Sequence, residues 1–360
     1  MKNTIQIVCV AAMVAIMNSA AMAVNIETVP VGNPGNAGEL SGRGAGGSGP
    51  DRICGAVAYE YNIGKYEVTA GQYTEFLNAV AKTDTYGLYD GEMDSHRYGC
   101  QITQNGTSGN YTYDFRGGTE GPASGTAAEW QDRPVNYVSW YDAAMYANWA
   151  TSGNIHQGAY DTGAGSGWGS PTTSDYTGTT PRDSAAMDSL VSTYGRVYVI
   201  PTEDEWYKAA YYDPGSSSYY DYPTGSNTAP SNDLDLGGNN ATFYISAGDH
   251  TIGSPYYRTE VGAHENSGSP YGTFDQGGNV WEWNELIVLV AASARGLRGG
   301  SFSGLDRYSL ASDRYRYYRN ETQGSYDIGF RVSEIPEPCT MAILMSGGIG
   351  ILRRRKCVRG

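Results

Sequence analysis

Basic charge is scarce in this 360-residue chain. Lys and Arg number 24 against 38 Asp and Glu, a formal charge of −14, and lysine occurs only at positions 2, 65, 82, 208 and 356. Binding a phosphate backbone needs a basic face, so nucleic acid is excluded as a partner class. Charged residues of all kinds make up 17%, below the ~25% of an ordinary globular chain. Phenylalanine, at 6, and histidine, at 4, are also rare. Zinc spacing and CxxC pairs are absent.

What is present points to a loop-rich fold. Glycine reaches 49 and tyrosine 31, and without a three-residue glycine period collagen is excluded. Hydrophobic residues are 40%, enough to bury a sizeable core, and the length allows one to three domains. The acidic surplus suits a soluble surface or carboxylates that hold a divalent cation.

Both ends read as addresses. Lys2, an apolar stretch Ile5 to Met17, and Ala21-Met22-Ala23 follow the order of a secretory signal, with cleavage expected after Ala23. About 13 apolar residues are too few to span ~30 Å of hydrocarbon. At the other end Pro336-Glu337-Pro338 precedes an apolar run, Met341 to Leu352, and then Arg353-Arg354-Arg355-Lys356. Physically this is a breaker, a marginal membrane segment and a positive stop. The segment 335–360 resembles the PEP-CTERM sorting signal. The resemblance implies an exosortase-type sorting protease as partner and delivery to the cell envelope or extracellular matrix of a Gram-negative bacterium.

Of five cysteines, Cys9 falls in the leader and Cys339 and Cys357 in the tail. Cys54 and Cys100 remain in the body. In an oxidising compartment they would form a disulfide, worth roughly 4 kcal/mol for a ~47-residue loop; two free thiols is the alternative.

Along the chain, residues 24–55 are rich in Gly, Pro, Asn and Ser and read as a flexible arm. Order is expected from about Ala56, in one domain over 56–334. Val57 to Tyr66 is strand-prone. Thr69 with Gln72, Ser139 with Asp142 and Thr202 with Glu205 are capping boxes that open three short helices. Their inner stripes are Tyr73, Phe76, Leu77 and Val80; Trp140, Ala143, Ala144 and Ala147; and Trp206, Ala209 and Ala210. Val197 to Ile200 reads as a buried strand, Asp183 to Tyr194 as a surface helix, and about 152–180 as an exposed insertion. Leu297-Arg298 and Phe330-Arg331-Val332 are expected strands. The fold class is α+β.

The ordered set YEVTAGQYTEF, RPVNYVSWYDAAMYANW, IPTEDEWYKAA, GGNVWEW, RGGSF and GFRV, from about Tyr59 to Ser333, resembles the formylglycine-generating enzyme (sulfatase-modifying factor) family. The resemblance implies a single-domain variant of the C-type-lectin fold with much irregular structure. One stretch speaks for a metal on its own chemistry. Asp275, Gly278, Val280 and Glu282 lie in a tight turn and offer two carboxylates and two carbonyls, hard oxygen donors that suit Ca²⁺. The family resemblance implies the same four positions, and a second calcium site near Asn240, Ala241 and Asp249.

The departure from the family decides the functional expectation. Family enzymes use two copper(I)-binding thiols after the RGGS element. Here those positions read Gly304 and Ser309, and copper(I) needs soft ligands, so no copper is expected. Ser301 and Trp281 match family active-site positions and read as relics. His96, His156, His250 and His264 are scattered and make no iron cluster. The segment after Ser301 is crowded with Arg307, Tyr308, Arg314, Tyr315, Arg316 and Tyr317, a composition suited to recognition. The expectation is a non-catalytic surface or matrix recognition module for polysaccharide or a surface protein. The alternative is an oxidoreductase with altered metal chemistry, distinguished by stoichiometric copper or iron.

Overall fold

The computed structural model describes residues 24–116, 125–162, 182, 184–234, 237–246, 248–289, 294–315 and 318–336. The leader and residues 337–360 of the sorting segment lie outside them. No helix among the described residues is long and apolar enough to cross a membrane.

Three helices start where their capping boxes place them: Ala70–Val80 on Thr69, Trp140–Ser152 on Ser139 and Glu203–Tyr211 on Thr202. In each, the N-cap hydroxyl and the third-position side chain satisfy N–H groups that the helix cannot. A fourth box, Thr126 with Glu129, opens Ala127–Gln131. The surface helix runs Ala185–Tyr194, capped by Ser184. Tyr73, Phe76 and Leu77 meet Tyr146 of the second helix in the main core. Ala143, Ala144 and Ala147 leave room for the helix backbone to approach its neighbours.

Two four-stranded sheets organise the rest. One runs Thr28–Val31, Tyr61–Gly64, Ser333–Pro336, Arg196–Val199, antiparallel throughout. The other runs Arg319–Asn320, Ala294–Arg298, Trp281–Leu289, Ile328–Gly329, its last pair parallel. Mixed helices and strands in one folded unit make the α+β class expected from the sequence.

Several local expectations are corrected. The arm 24–55 is not a flexible linker. Thr28–Val31 is a strand of the first sheet, and Glu39–Ser41 pairs with Arg52–Cys54. Its glycines serve close approach: a Cβ on Gly47 would lie 2.0 Å from the Ser312 carbonyl oxygen, while Gly42 N–H donates to that same carbonyl. Among the described residues the folded unit therefore includes Val24 onward, and it extends past 334 because Ile335 and Pro336 pair with Val197 and Arg196. The expected strand Phe330-Arg331-Val332 is instead a buried crossover. Ile328–Gly329 joins the second sheet and Ser333–Pro336 the first, so the chain changes sheets between them. In the expected insertion, Ile155 and Tyr160 are buried, and Asn148 Nδ2 donates to both of their carbonyls; residues 163–180 lie outside the described residues.

The disulfide is not formed. Cys54 and Cys100 are both free and buried, and they sit in different apolar clusters. The Arg298 guanidinium approaches Cys54 Sγ at 3.3 Å. Burial raises both thiols above their ordinary range, with Glu203 adding to the effect at Cys54.

Candidate functional site

The matched motifs first build a buried ionic frame. Glu203, in the first turn of its helix, receives Arg298 at 2.8 Å, Arg314 at 3.1 Å and Arg52 at 2.6 Å. Burial opposes its ionisation, but the three guanidiniums outweigh that cost and hold Glu203 below the usual carboxylate range. Arg182 bridges Glu205 and Glu285, each at 3.0 Å. Arg331, from the expected strand, grips Glu282 through Nε at 2.6 Å and Nη2 at 2.7 Å.

That last pair decides how the calcium positions are used. Both Glu282 oxygens accept from Arg331, and Oε2 also accepts from Trp206 Nε1 at 2.7 Å. The Asp275 carboxylate accepts the Gly262 N–H at 2.6 Å, and burial pushes it up to about 6. Glu67, from the YEVT motif, faces the same region. It is 2% exposed, and neither carboxylate oxygen has a hydrogen-bond partner. Burial, then Asp275 and Glu282, lift its carboxyl well above the ordinary range. So one guanidinium, Arg331, lies within electrostatic reach of three buried carboxyl groups. Among the described residues no group of three or more His, Cys, Asp or Glu is placed to hold a metal ion. At the first expected position, Ca²⁺ would have to share the Glu282 carboxylate with Arg331 and Trp206. At the second expected position, Asn240 and Ala241 are buried and Asn240 donates to the Asp233 carbonyl. The Asp249 carbonyl and carboxylate instead face Asn232.

Above this frame lies a pocket of about 160 Å³, lined by Trp281, Ser301, Ser303, Gly304, Tyr308, Tyr315, Tyr326 and Asp327. Trp281 arrives from the strand Trp281–Leu289, and its N–H donates to the Asp327 carbonyl. Ser301 leaves the RGGS turn and bonds Ser303 Oγ at 3.2 Å. Tyr308 approaches Trp281 with centroids 5.8 Å apart and stacks on Tyr315 at 5.0 Å, 24° between planes. Tyr315 is 56% exposed. The pocket thus presents rings, hydroxyls and one carboxylate. Among the described residues its lining holds no sulfur and no imidazole, a donor set that does not fit copper(I).

The predicted residues separate clearly. Ser301, Trp281 and Gly304 converge in the pocket. Ser309 does not line it; it is buried, its Oγ donating to the Asp306 carbonyl. Tyr308 and Tyr315 are at the pocket, and exposed Arg307 lies over the Tyr308 ring at 5.1 Å. Arg314 is not a ligand group, because it is 4% exposed and spent on Glu203 and the Pro50 carbonyl. Arg316 and Tyr317 lie outside the described residues. Sequence reading missed Ser303, Tyr326 and Asp327, of which only Ser303 adjoins a matched motif. A larger groove of about 380 Å³, lined among others by Glu27, Gln72, Glu75 and Asp132, contains none of the predicted site positions.

No similar curated protein is found. Similar solved structures include CarF (20% identity, TM-score 0.49, covering 86% of this chain and 98% of that one). Others are PvdO from Pseudomonas aeruginosa (16%, 0.47, 86% and 94%) and Treponema denticola variable protein 1 (18%, 0.47, 86% and 95%). A family model, the sulfatase-modifying factor enzyme 1-like domain, matches residues 49–334. With four fifths of its length inside that match, the chain belongs to the sulfatase-modifying factor enzyme 1-like family.

Proposed function

We propose that the protein is an exported, non-catalytic recognition module that keeps the family scaffold and has given up its oxidative chemistry. One observation carries the reading: the pocket where Trp281, Ser301 and Gly304 meet offers oxygen atoms and aromatic faces but no thiol. Copper(I) requires thiolate or thioether, and the two described cysteines are buried elsewhere. Rigid tyrosines lose little entropy on contact and carry both an apolar face and a hydroxyl. The ligand is a polysaccharide or a surface protein, and Tyr308 and Tyr315 contact it.

The leader and the tail support delivery to the envelope or matrix, with an exosortase-type protease acting at the C-terminal segment. Secreted protein should begin at Val24 on N-terminal sequencing. The decisive assay offers a cysteine-containing peptide with copper(I) under air. The expected result is an unmodified thiol, and aldehyde formation would overturn the proposal.

A further inference from the structure

The aromatic surface continues beyond the pocket. Tyr326 packs on Tyr98 with centroids 5.3 Å apart, and Tyr98 meets Tyr257 at 4.7 Å. With half-buried Tyr308 and exposed Tyr315 these rings form an accessible track, and buried Trp281 packs against Tyr308. Two exposed arginines lie on it, Arg97 over Tyr98 at 4.4 Å and Arg307 over Tyr308 at 5.1 Å.

We propose that this track binds an acidic polysaccharide, a chain of carboxylate-bearing sugar rings. Its faces stack on the tyrosines, and Arg97 and Arg307 pair its carboxylates. This deepens the recognition reading above and rests on it.

Three observations point to this ligand. The first is charge. Eight of the described arginines, Arg52, Arg116, Arg133, Arg182, Arg295, Arg298, Arg314 and Arg331, are committed to ion pairs. Arg97 and Arg307 make none with the described residues, although Asp306 and Asp313 lie within electrostatic reach of Arg307. Each of these arginines donates to the hydroxyl of its neighbouring tyrosine, and on a chain whose net charge of −14 disfavours anions in general, these two exposed guanidiniums are where a carboxylate would pair. The second is geometry. Each guanidinium is already held against a ring, so its fork is pre-positioned for a planar carboxylate.

The third is backbone strain at the track. Tyr257 has φ 57°, and Tyr137, which packs with His96 beside Tyr326, has φ 60°. A bulky side chain in the left-handed region is uncommon and persists where the surroundings over-determine it. Here Tyr137 N–H donates to the Ser325 carbonyl, and Gly324 lies so close that a Cβ would fall 2.5 Å from the Tyr137 carbonyl oxygen. The fold therefore sets ring positions that local preference would not choose.

Calorimetric titration of the full chain with an oligogalacturonate, a cello-oligosaccharide and a polyglutamate peptide tests the proposal. The oligogalacturonate should bind best, and more weakly as salt rises. Arg97→Gln and Arg307→Gln should each weaken it about fivefold, with circular dichroism unchanged. Equal binding of the neutral oligosaccharide, insensitive to both arginine changes, overturns the acidic ligand but leaves the recognition reading intact. Tighter binding of polyglutamate overturns the glycan in favour of a peptide. Binding of none of the three overturns the acidic-glycan proposal, and aldehyde formation in the peptide assay overturns the recognition reading separately.

Discussion

Arg331 holds both oxygens of Glu282, at 2.6 and 2.7 Å, with neither side chain exposed by more than 1%. A pair this deep is costly to break from one side, because the remaining charge stays buried. Arg331→Met should destabilise the protein by about 3–5 kcal/mol. Since that guanidinium already engages both Glu282 oxygens, EDTA should leave the thermal midpoint of the wild type unchanged. A loss of several degrees on chelation, restored by calcium, would show that the ion rather than the arginine dominates there.

Glu67 gives a pH signature. Its folded pKa is raised, so the folded state holds a proton that the unfolded chain has released. Its contribution is therefore present below the ordinary carboxylate pKa and is lost as pH rises toward the raised value. Glu67→Gln replaces the neutral acid with a neutral amide of similar shape. Relative to wild type, the variant should gain stability as pH climbs from 4 toward 8. Parallel melting curves for the two proteins across that range would refute a protonated Glu67.

The cysteines should behave as buried apolar groups. Reductant should not shift the melting temperature, and mass spectrometry after denaturing alkylation should find both Cys54 and Cys100 modified. In native buffer alkylation should be slow, since only the thiolate reacts and burial disfavours it. A Cys54–Cys100 cross-linked peptide in the non-reduced digest would contradict the free thiols.

Gly47→Ala should destabilise by about 1–3 kcal/mol, because its new methyl would fall on the Ser312 carbonyl. Gly32→Ala, like Gly47 outside the left-handed region but with nothing within 4 Å, serves as the control for the loss of a glycine alone. If the two variants melt together, the N-terminal segment does not pack as described.

Tyr315→Ala should leave stability nearly unchanged, since that ring is 56% exposed, while lowering affinity for the bound surface ligand about tenfold. Binding of the variant at wild-type strength, measured by the same titration, would remove Tyr315 from the recognition face.

Much of the scaffold was legible in local pattern. Capping boxes at Thr69, Ser139 and Thr202 depend on residues three apart, so the chain itself specifies them. The motif order from YEVT to GFRV likewise located Trp281, Ser301 and Gly304, and it showed without coordinates that Gly304 and Ser309 offer no soft ligand. Glycine-rich sequence, by contrast, is ambiguous: the same composition suits a loose linker or a tight backbone contact, and the latter holds at Gly47. Which charges pair was also hidden. Arg314 reads like its neighbours Arg307 and Arg316, yet it is buried on Glu203, whereas Arg307 stays in solvent.

The sequence by itself determined the helix starts, the family and the absence of thiols from the matched positions, because each depends on residue identity or on short spacing. Only the tertiary structure decided that Glu282 belongs to Arg331, that Cys54 never meets Cys100, and that Tyr98 and Tyr326 extend the pocket. Those relationships join residues from 46 to 228 positions apart in the numbering, and only chain crossings between the two sheets and their loops bring such partners together or keep them apart.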